Sequence, residues 1–283
     1  MSLQGRILEI LNNENLNPLQ SERKIQELLG LNHKKVEEGV HSSNPEIYTG
    51  LEEEAFSTPF ADYYSILKSI KDETLVDLGA GHCKGTILSK VLEFGDVLSL
   101  EVDEHRVTEA RKLAQSLGLD KTGIQQFDIL SQDIPLCQNY FVYLPLGPLI
   151  FSPIERLLKS KHSANVFVME SHGDVLDFFN ACPEWFTLQE VLSSRTARHR
   201  GGIHKFNFTP AKIPAVEDNT YELVYQIIQN YSKDEKYRIV KESGEHMVSA
   251  SSLLPIKYNQ KMAFECSEIK RIVDFENVQI FRA

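Results

Sequence analysis

Apolar residues change their spacing from one segment of the chain to the next. In residues 3–40 they recur at the three- and four-residue intervals of amphipathic helices, with a break at Asn17-Pro18. From residue 74 onward, short β-branched runs alternate with stretches of helical spacing. Strands that alternate with helices form parallel sheets through right-handed crossovers. The pattern therefore predicts a doubly wound α/β domain.

The predicted sheet has seven strands. Its last two strands follow each other without a helix, which predicts an antiparallel hairpin at the edge of a mostly parallel sheet. The predicted strands are Thr74–Leu78, Val97–Val102, Ile124–Ile129, Tyr140–Leu144, Asn165–Met169, Phe186–Leu192 and Gly202–Phe208. Helical spacing lies between the first three, in residues 84–94 and 107–117.

Three domains are predicted from these changes of pattern. A helical N-terminal extension covers residues 1–45, the sheet domain covers 46–210, and a small α+β or β-rich appendix covers 211–283. The appendix is predicted to begin with a helix at 221–231. Short strands are predicted after it at 237–240, 247–254 and 278–281.

Composition and charge narrow the classes of function. The chain has 283 residues, of which 42% are hydrophobic and 25% charged, so it is not disordered as a whole. Its formal charge of -10 argues against broad, non-specific binding of nucleic acid. No apolar run reaches the roughly 20 residues of a membrane span, and the N-terminus lacks a signal-peptide pattern. We expect a soluble, cytoplasmic protein with no membrane partner.

The four cysteines predict neither a disulfide framework nor a metal site. No pair has CxxC spacing, and no cysteine has a histidine at metal-ligand spacing. We expect reduced thiols and no bound metal.

A glycine-rich loop follows the first predicted strand and reads Asp77-Leu-Gly79-Ala-Gly81-His-Cys83-Lys-Gly85. A Walker loop has its lysine after the last glycine, which is the reverse of the order here. The dinucleotide fingerprint GxGxxG would need glycine at position 84, where this chain has lysine. An acidic-x-Gly-x-Gly loop, typical of S-adenosylmethionine binders, fits Asp77, Gly79 and Gly81. A tight turn without a ligand also fits.

Two further carboxylates follow the next two predicted strands. Glu101 ends the second strand, 20 positions after Gly81, where a carboxylate can accept both ribose hydroxyls. Asp128 lies at the end of the third strand, where it could accept the exocyclic amine of an adenine. The alternatives are a solvated strand end for Glu101 and a helix cap or turn for Asp128.

The segments DLGAG, LSLEVDEHRVTEARKLA and QFDIL together resemble the class I, Rossmann-like S-adenosylmethionine-dependent methyltransferases. The resemblance covers residues 48–208, and its three motifs lie in 77–130. It implies a cofactor site formed by Asp77, Gly79, Gly81, Glu101 and Asp128, with S-adenosylmethionine as the cofactor.

A finer resemblance involves residues 48–59 and the fourth strand. Tyr48-Thr-Gly-Leu-Glu52, the pair Thr58-Pro59 and the strand Phe141-Val-Tyr-Leu-Pro145 resemble bacterial relatives of the non-SET histone-lysine methyltransferases of the disruptor-of-telomeric-silencing type. This resemblance implies that Tyr48 and Thr58 contact the cofactor. Thr58 is equally well placed to cap the helix that follows it, and both roles are compatible.

One position departs from the usual loop. Where the resemblance expects a third glycine, this chain has Cys83. Its side chain either narrows the cofactor loop or packs beneath the following helix. The departure also leaves a non-catalytic protein of the same fold as an alternative.

Candidates for the acceptor side lie near the ends of later strands. Tyr143 could hydrogen-bond an acceptor, and His172 could serve as a base or an orienting group. Arg195, Arg198 and Arg200 form a basic turn between the sixth and seventh strands that could hold an anionic substrate. The alternatives are a core tyrosine, a solvated strand end and a solvated turn.

The sequence thus predicts an S-adenosylmethionine-dependent methyltransferase with an unidentified acceptor. A protein lysine and an anionic substrate are both open; a protein or a small molecule is favoured over nucleic acid. The alternative is a non-catalytic binding or scaffold protein of the adenosylmethionine fold. An NAD-dependent oxidoreductase is disfavoured by Lys84.

Overall fold

The structure is a computed structural model of the chain. It describes residues 1–34, 36–38, 57–129, 131–143, 162–169, 176, 186–194 and 202–209, and the backbone of 237–241, 244–248 and 278–282.

Five helices and ten strands have both of their ends within the described residues. The helices are α1 Leu3–Leu11, α2 Pro18–Leu29, α3 Phe60–Ile70, α4 Lys84–Leu92 and α5 Glu104–Ser116. The strands are β1 Thr74–Leu78, β2 Asp96–Glu101, β3 Ile124–Gln126, β4 Asn139–Tyr143, β5 Ala164–Met169, β6 Phe186–Leu192, β7 Ile203–Phe208, β8 Tyr237–Lys241, β9 Gly244–Val248 and β10 Val278–Arg282. None of the described helices has the length and apolar character that a membrane crossing requires.

The predicted fold class is confirmed. Seven strands form one sheet in the order β3-β2-β1-β4-β5-β7-β6. Strand β1 pairs in parallel with both β2 and β4, whereas β7 pairs antiparallel with β5. The first strand therefore lies inside the sheet, and the direction in which strands are added reverses between β3 and β4, on the two sides of β1. Ligands bind at such a reversal in open α/β sheets, outside the carboxyl ends of the strands.

Local sequence explains both ends of α2. Asn17 accepts a hydrogen bond from the Gln20 amide, and the Gln20 side chain accepts one from the Asn17 amide, so a capping box starts α2. Gly30 ends α2 in the left-handed region at φ 75°. The buried faces of the two N-terminal helices include Ile7 and Ile25, both fully buried. The described part of residues 1–45 thus contains the two helices α1 and α2.

The capping role considered for Thr58 is wrong. Pro59 is the N-cap of α3 and makes no side-chain cap. Instead, Oε2 of Glu22, on α2, accepts the Phe60 amide at 2.8 Å. A carboxylate from another helix satisfies this amide and also complements the positive end of α3.

The chain divides into two compact units. One comprises Met1–Asp128, Cys137–Tyr143 and Val191–Ile203, and the other Ile129–Leu136, Leu144–Glu190 and His204–Ala283. Strands of the second unit form a separate three-stranded antiparallel sheet in the order β10-β8-β9. This agrees with the predicted strands of the appendix, except that the strand predicted over 247–254 is found over 244–248. The helix predicted at 221–231 lies outside the described residues.

Candidate functional site: the carboxyl edge of β1 and β2

The glycine loop turns through three left-handed residues. Gly79 has φ 74°, Gly81 has φ 55° and Cys83 has φ 53°, after which α4 begins at Lys84. The amides of Gly79 and Ala80 both donate to the carbonyl of Leu100 on β2, at 2.9 and 3.0 Å. A Cβ built on Gly79 would meet no atom of the described residues within 4 Å. Glycine is needed there for its conformation, and it faces open space that a ligand could fill.

Glu101 is fixed at the end of β2 by two backbone amides. The Gly81 amide donates to Oε2 at 2.7 Å, and the Asp103 amide donates to Oε1 at 2.9 Å. The side chain is buried, and burial raises its pKa although Arg106 and the two amides favour the charged form. The carboxylate is therefore tied directly to the glycine loop.

Asp77 lies beneath the loop in a buried pair with a residue that the sequence did not suggest. Oδ2 of Asp77 accepts the hydroxyl of Tyr63, from α3, at 2.7 Å. Burial raises the pKa of Asp77 to about 7; the hydrogen bond from Tyr63 opposes this rise and nearby Glu101 adds to it. Gly85 leaves room for the tyrosine, because a Cβ at that position would come within 2.9 Å of Cε1 of Tyr63.

Cys83 packs beneath the loop. It is fully buried in an apolar cluster with Val107 and Ala110 of α5. Its sulfur lies 3.6 Å from the Gly81 carbonyl, and burial, together with the carboxylates of Glu101 and Asp77, raises the pKa of the thiol. The thiol is thus neutral and part of the core.

The N-terminal extension supplies two carboxylates to the loop region. Glu22 binds the ammonium of Lys84 at 2.6 Å, and Lys84 also donates to the carbonyl of Thr58 at 3.2 Å. Lys84 is only 2% exposed, so burial lowers its pKa while Glu22 opposes the shift. The lysine that breaks the dinucleotide fingerprint therefore anchors α2 and the start of α3.

Glu37 is the second of these carboxylates. It binds Arg106 of α5 side-on, with Nε at 3.0 Å from Oε1 and Nη2 at 2.8 Å from Oε2. Nε2 of His82, in the glycine loop, lies 2.8 Å from Oε1 but off the line of a good hydrogen bond. Burial alone would raise the pKa of Glu37, but contacts with His82 and Arg106 outweigh it and lower the pKa to about 2.

His82 itself is held neutral. Burial lowers its pKa, although Glu37 favours the charged form. The ring of His33 stacks on it with the centroids 4.0 Å apart. The described residues contain no group of three or more His, Cys, Asp or Glu side chains arranged to hold a metal ion.

Asp128, Tyr143 and Thr58 are the other predicted site residues that the structure describes. Asp128 follows β3 and is half-buried; the preceding amide, of Phe127, donates to the Glu101 carbonyl at 2.9 Å, so this turn lies beside the end of β2. Tyr143 ends β4 and is half-buried. Thr58 is buried. The predicted residues Tyr48, His172, Arg195, Arg198 and Arg200 lie outside the described residues.

Sequence reasoning missed Tyr63, Glu22 and Glu37. Glu22 and Glu37 lie 62 and 69 positions from their partners, Tyr63 lies 14 positions from Asp77, and none of the three belongs to a motif. A buried-lysine argument could have suggested one of them. Lys84 begins a helix whose other residues are mostly apolar or small, and a buried ammonium needs a carboxylate.

Comparisons with known proteins show a likeness of fold. No protein-family model matches the chain, and no curated protein matches it. Among solved structures, the chain is similar to a ribosomal protein L11 methylase from Lactobacillus delbrueckii subsp. bulgaricus, with 16% identity, a TM-score of 0.41, and coverage of 53% of this chain and 77% of that one. It is also similar to an RNA methyltransferase from Salinibacter ruber in complex with S-adenosyl-L-homocysteine, with 19% identity, a TM-score of 0.38, and coverage of 56% and 96%.

A third similar structure covers more of the chain. It is described as a putative class I S-adenosylmethionine-dependent methyltransferase from Listeria monocytogenes, with 14% identity, a TM-score of 0.41, and coverage of 76% of this chain and 83% of that one. None of the three is described as a histone-lysine methyltransferase, and the finer resemblance is not supported. Their likeness concerns the fold, and the ligand of this chain must be inferred from its own residues.

Proposed function

We propose that this chain is an S-adenosylmethionine-dependent methyltransferase that binds its cofactor at the carboxyl edge of β1 and β2. The observation that carries the proposal is the position of Glu101. Its carboxylate is held by the Gly81 amide of the glycine loop, and a Cβ built on Gly79 of the same loop would meet none of the described residues within 4 Å. A buried carboxylate beside such a loop suits the diol of a ribose.

The loop and the start of α4 suit the methionine end of the cofactor. A helix N-terminus presents unpaired amides and a partial positive charge, which favour a carboxylate ligand. Beneath the loop, Asp77 has a pKa of about 7. An approaching cation favours the ionised form of this carboxyl, so Asp77 supplies negative charge to the ammonium and sulfonium groups.

The end of β2 suits the adenosine. Each oxygen of Glu101 uses one acceptor position on a backbone amide and retains another for a ribose hydroxyl. Val102 follows it and is 61% exposed, an apolar side chain against which a flat base can pack. Asp128, in the turn beside β2, is proposed to accept the exocyclic amine. The residues at this edge thus fit the cofactor part by part.

In methyl transfer the main task of the protein is to align the acceptor atom with the methyl group. The bound sulfonium supplies the methyl group for an in-line displacement. The chain must orient the acceptor and, where needed, remove its proton. We propose Tyr143 and His172 for these roles, since Tyr143 ends β4 and His172 follows β5 in the sequence. No cluster of metal ligands is found in the described residues, and the proposal uses none.

The acceptor is proposed to be a protein or a small anionic molecule. Arg195, Arg198 and Arg200 follow β6 in the sequence and would hold an anion. A protein lysine is the acceptor class that follows from the disruptor-of-telomeric-silencing resemblance, which also proposes Tyr48 and Thr58 as cofactor contacts. Two of the similar proteins are described as a ribosomal protein L11 methylase and an RNA methyltransferase. The formal charge of -10 makes nucleic acid the less favoured acceptor here.

Calorimetry with Glu101→Gln tests the proposal. Loss of the charge-assisted hydrogen bonds to the ribose should weaken S-adenosylmethionine binding by about 2 kcal/mol, or roughly 30-fold. The control is Glu9→Gln, an exposed carboxyl on α1 that should change nothing. Equal affinity of Glu101→Gln and wild type would refute the site. Binding without release of S-adenosylhomocysteine in the presence of cell extract would favour the non-catalytic alternative.

A further inference from the structure

Arg106 lies between two buried carboxylates, and it hydrogen-bonds Glu37 but makes only a longer ion pair with Glu101. It binds Glu37 through two hydrogen bonds, at 3.0 and 2.8 Å. Its Nη1 lies 3.9 Å from Oε1 of Glu101, which is within ion-pair range but too far for a hydrogen bond. All three side chains are nearly inaccessible to solvent. The guanidinium is therefore held by a residue of the N-terminal extension, close to Glu101 but not on it.

This arrangement leaves the oxygens of Glu101 to backbone amides. Each oxygen accepts one amide, from Gly81 or Asp103. A guanidinium can bind a carboxylate through two parallel hydrogen bonds, and such pairs are strong when buried. If Glu37 did not hold Arg106, a shift of about 1 Å would bring Nη1 into direct contact with Glu101. That contact would occupy the acceptor positions that a ribose needs.

We propose that Glu37 is a positioning residue of the cofactor site, which withholds Arg106 from Glu101 and so keeps that carboxylate available to the ribose hydroxyls. The inference rests on the proposed function, because it takes Glu101 as the ribose acceptor. It assigns the N-terminal extension a part in recognising the nucleoside. Glu37 acts through Arg106 and does not itself touch the cofactor.

A purely structural role for Glu37 makes a different prediction. If Glu37 only docks the extension onto the loop, its loss weakens every ligand of the site by the same factor. If it positions Arg106, its loss weakens a ligand more, the more of its ribose hydroxyls bind Glu101. The ratio of affinities for S-adenosylhomocysteine and its 2′-deoxy analogue separates the two roles, because the ligands differ at one hydroxyl.

The test measures this ratio by calorimetry on the full chain. Wild type should prefer S-adenosylhomocysteine over the 2′-deoxy analogue by about 10-fold or more. Glu37→Gln should reduce the preference to less than about 3-fold, mainly by weakening the ribose-bearing ligand. The matched control is Glu22→Gln, which removes the charge of the other carboxylate of the extension, the one bound to Lys84 and to the Phe60 amide, and should keep the wild-type preference. An unchanged preference in Glu37→Gln overturns the inference.

A second variant covers the case in which Glu37→Gln does not fold, since that substitution removes the negative charge that pairs with a buried guanidinium. Glu37→Asp keeps the charge but withdraws the carboxylate by one methylene. It should fold and should show a preference below that of wild type, whereas full retention overturns the inference. Glu101→Gln distinguishes failure of the function itself. If wild type shows no preference, or Glu101→Gln retains it, the ribose site is wrong; if only Glu101→Gln loses it, the role of Glu37 is wrong.

Discussion

Replacement of Asp77 by asparagine should stabilise the protein at alkaline pH and lower its affinity for the cofactor. Asp77 is fully buried, and its pKa in the folded protein is about 7 against an ordinary value of 3.8. The folded state therefore binds a proton that the unfolded state has released between these pH values. Stability from this proton is complete below pH 3.8 and is lost as the pH rises through 7.

The magnitude follows from the difference between the two pKa values. A pKa about three units higher in the folded state, at about 1.4 kcal/mol per unit, gives on the order of 4 kcal/mol between pH 4 and pH 8. Asparagine has no charge to desolvate, and its amide oxygen can still accept the Tyr63 hydroxyl. The new side chain adds an NH₂ group whose hydrogen-bond cost is independent of pH. The change of stability with pH is therefore the diagnostic quantity, more than its absolute value.

The assay is urea denaturation followed by far-ultraviolet circular dichroism at pH 5, 6, 7, 8 and 9. The free energy of unfolding of Asp77→Asn minus that of wild type should rise steadily up to about pH 7 and then level off. Other carboxyls, such as Glu37, titrate in both proteins and largely cancel in the difference. Parallel pH profiles for the two proteins would refute the reasoning, because they would mean that Asp77 is ionised or protonated alike in both states.

The same substitution is expected to lower cofactor affinity. If the ionised Asp77 supplies charge to the bound ammonium and sulfonium, Asp77→Asn binds S-adenosylmethionine more weakly. Wild type should release on the order of half a proton on binding at pH 7, and the variant should release less. Calorimetry in buffers of different ionisation enthalpy measures this proton. A variant that is more stable and binds equally well would leave Asp77 without a role in the site.

Three further predictions concern the loop and the acceptor. Cys83→Gly should lower the free energy of unfolding by about 1 kcal/mol in urea denaturation, because the lost packing outweighs the relief of left-handed strain. Cofactor affinity should not change, and tighter binding would contradict the packing interpretation. Gly85→Ala should cost about 1–3 kcal/mol in the same measurement, because the new methyl group would meet the Tyr63 ring at 2.9 Å. Replacing Arg195, Arg198 and Arg200 together by glutamine should raise the KM of an anionic acceptor and reduce its salt dependence in steady-state assays, with cofactor affinity retained; unchanged kinetics would indicate a neutral acceptor.

The sequence by itself determined the sheet and the position of Glu101 beside the glycine loop. Hydrophobic spacing is a local property, so strands such as Thr74–Leu78 and Phe186–Leu192 could be predicted to the residue. The contact between Glu101 and the glycine loop could also be predicted, because successive parallel strands bring their carboxyl ends to one edge. In both cases a short stretch of chain contains the whole signal.

Only the tertiary structure decided which side chains support that site. Glu37 meets Arg106 across 69 positions, and Glu22 meets Lys84 across 62, with no periodic pattern linking either pair. Thr58 illustrates the same limit, since its local sequence suited a helix cap that a carboxylate from α2 provides instead. Burial also sets the charge of these groups, because the pKa of Asp77 depends on how much water the folded chain excludes. Spacing along the chain carries no information about that exclusion, so the electrostatics of the site emerge only when the helices pack.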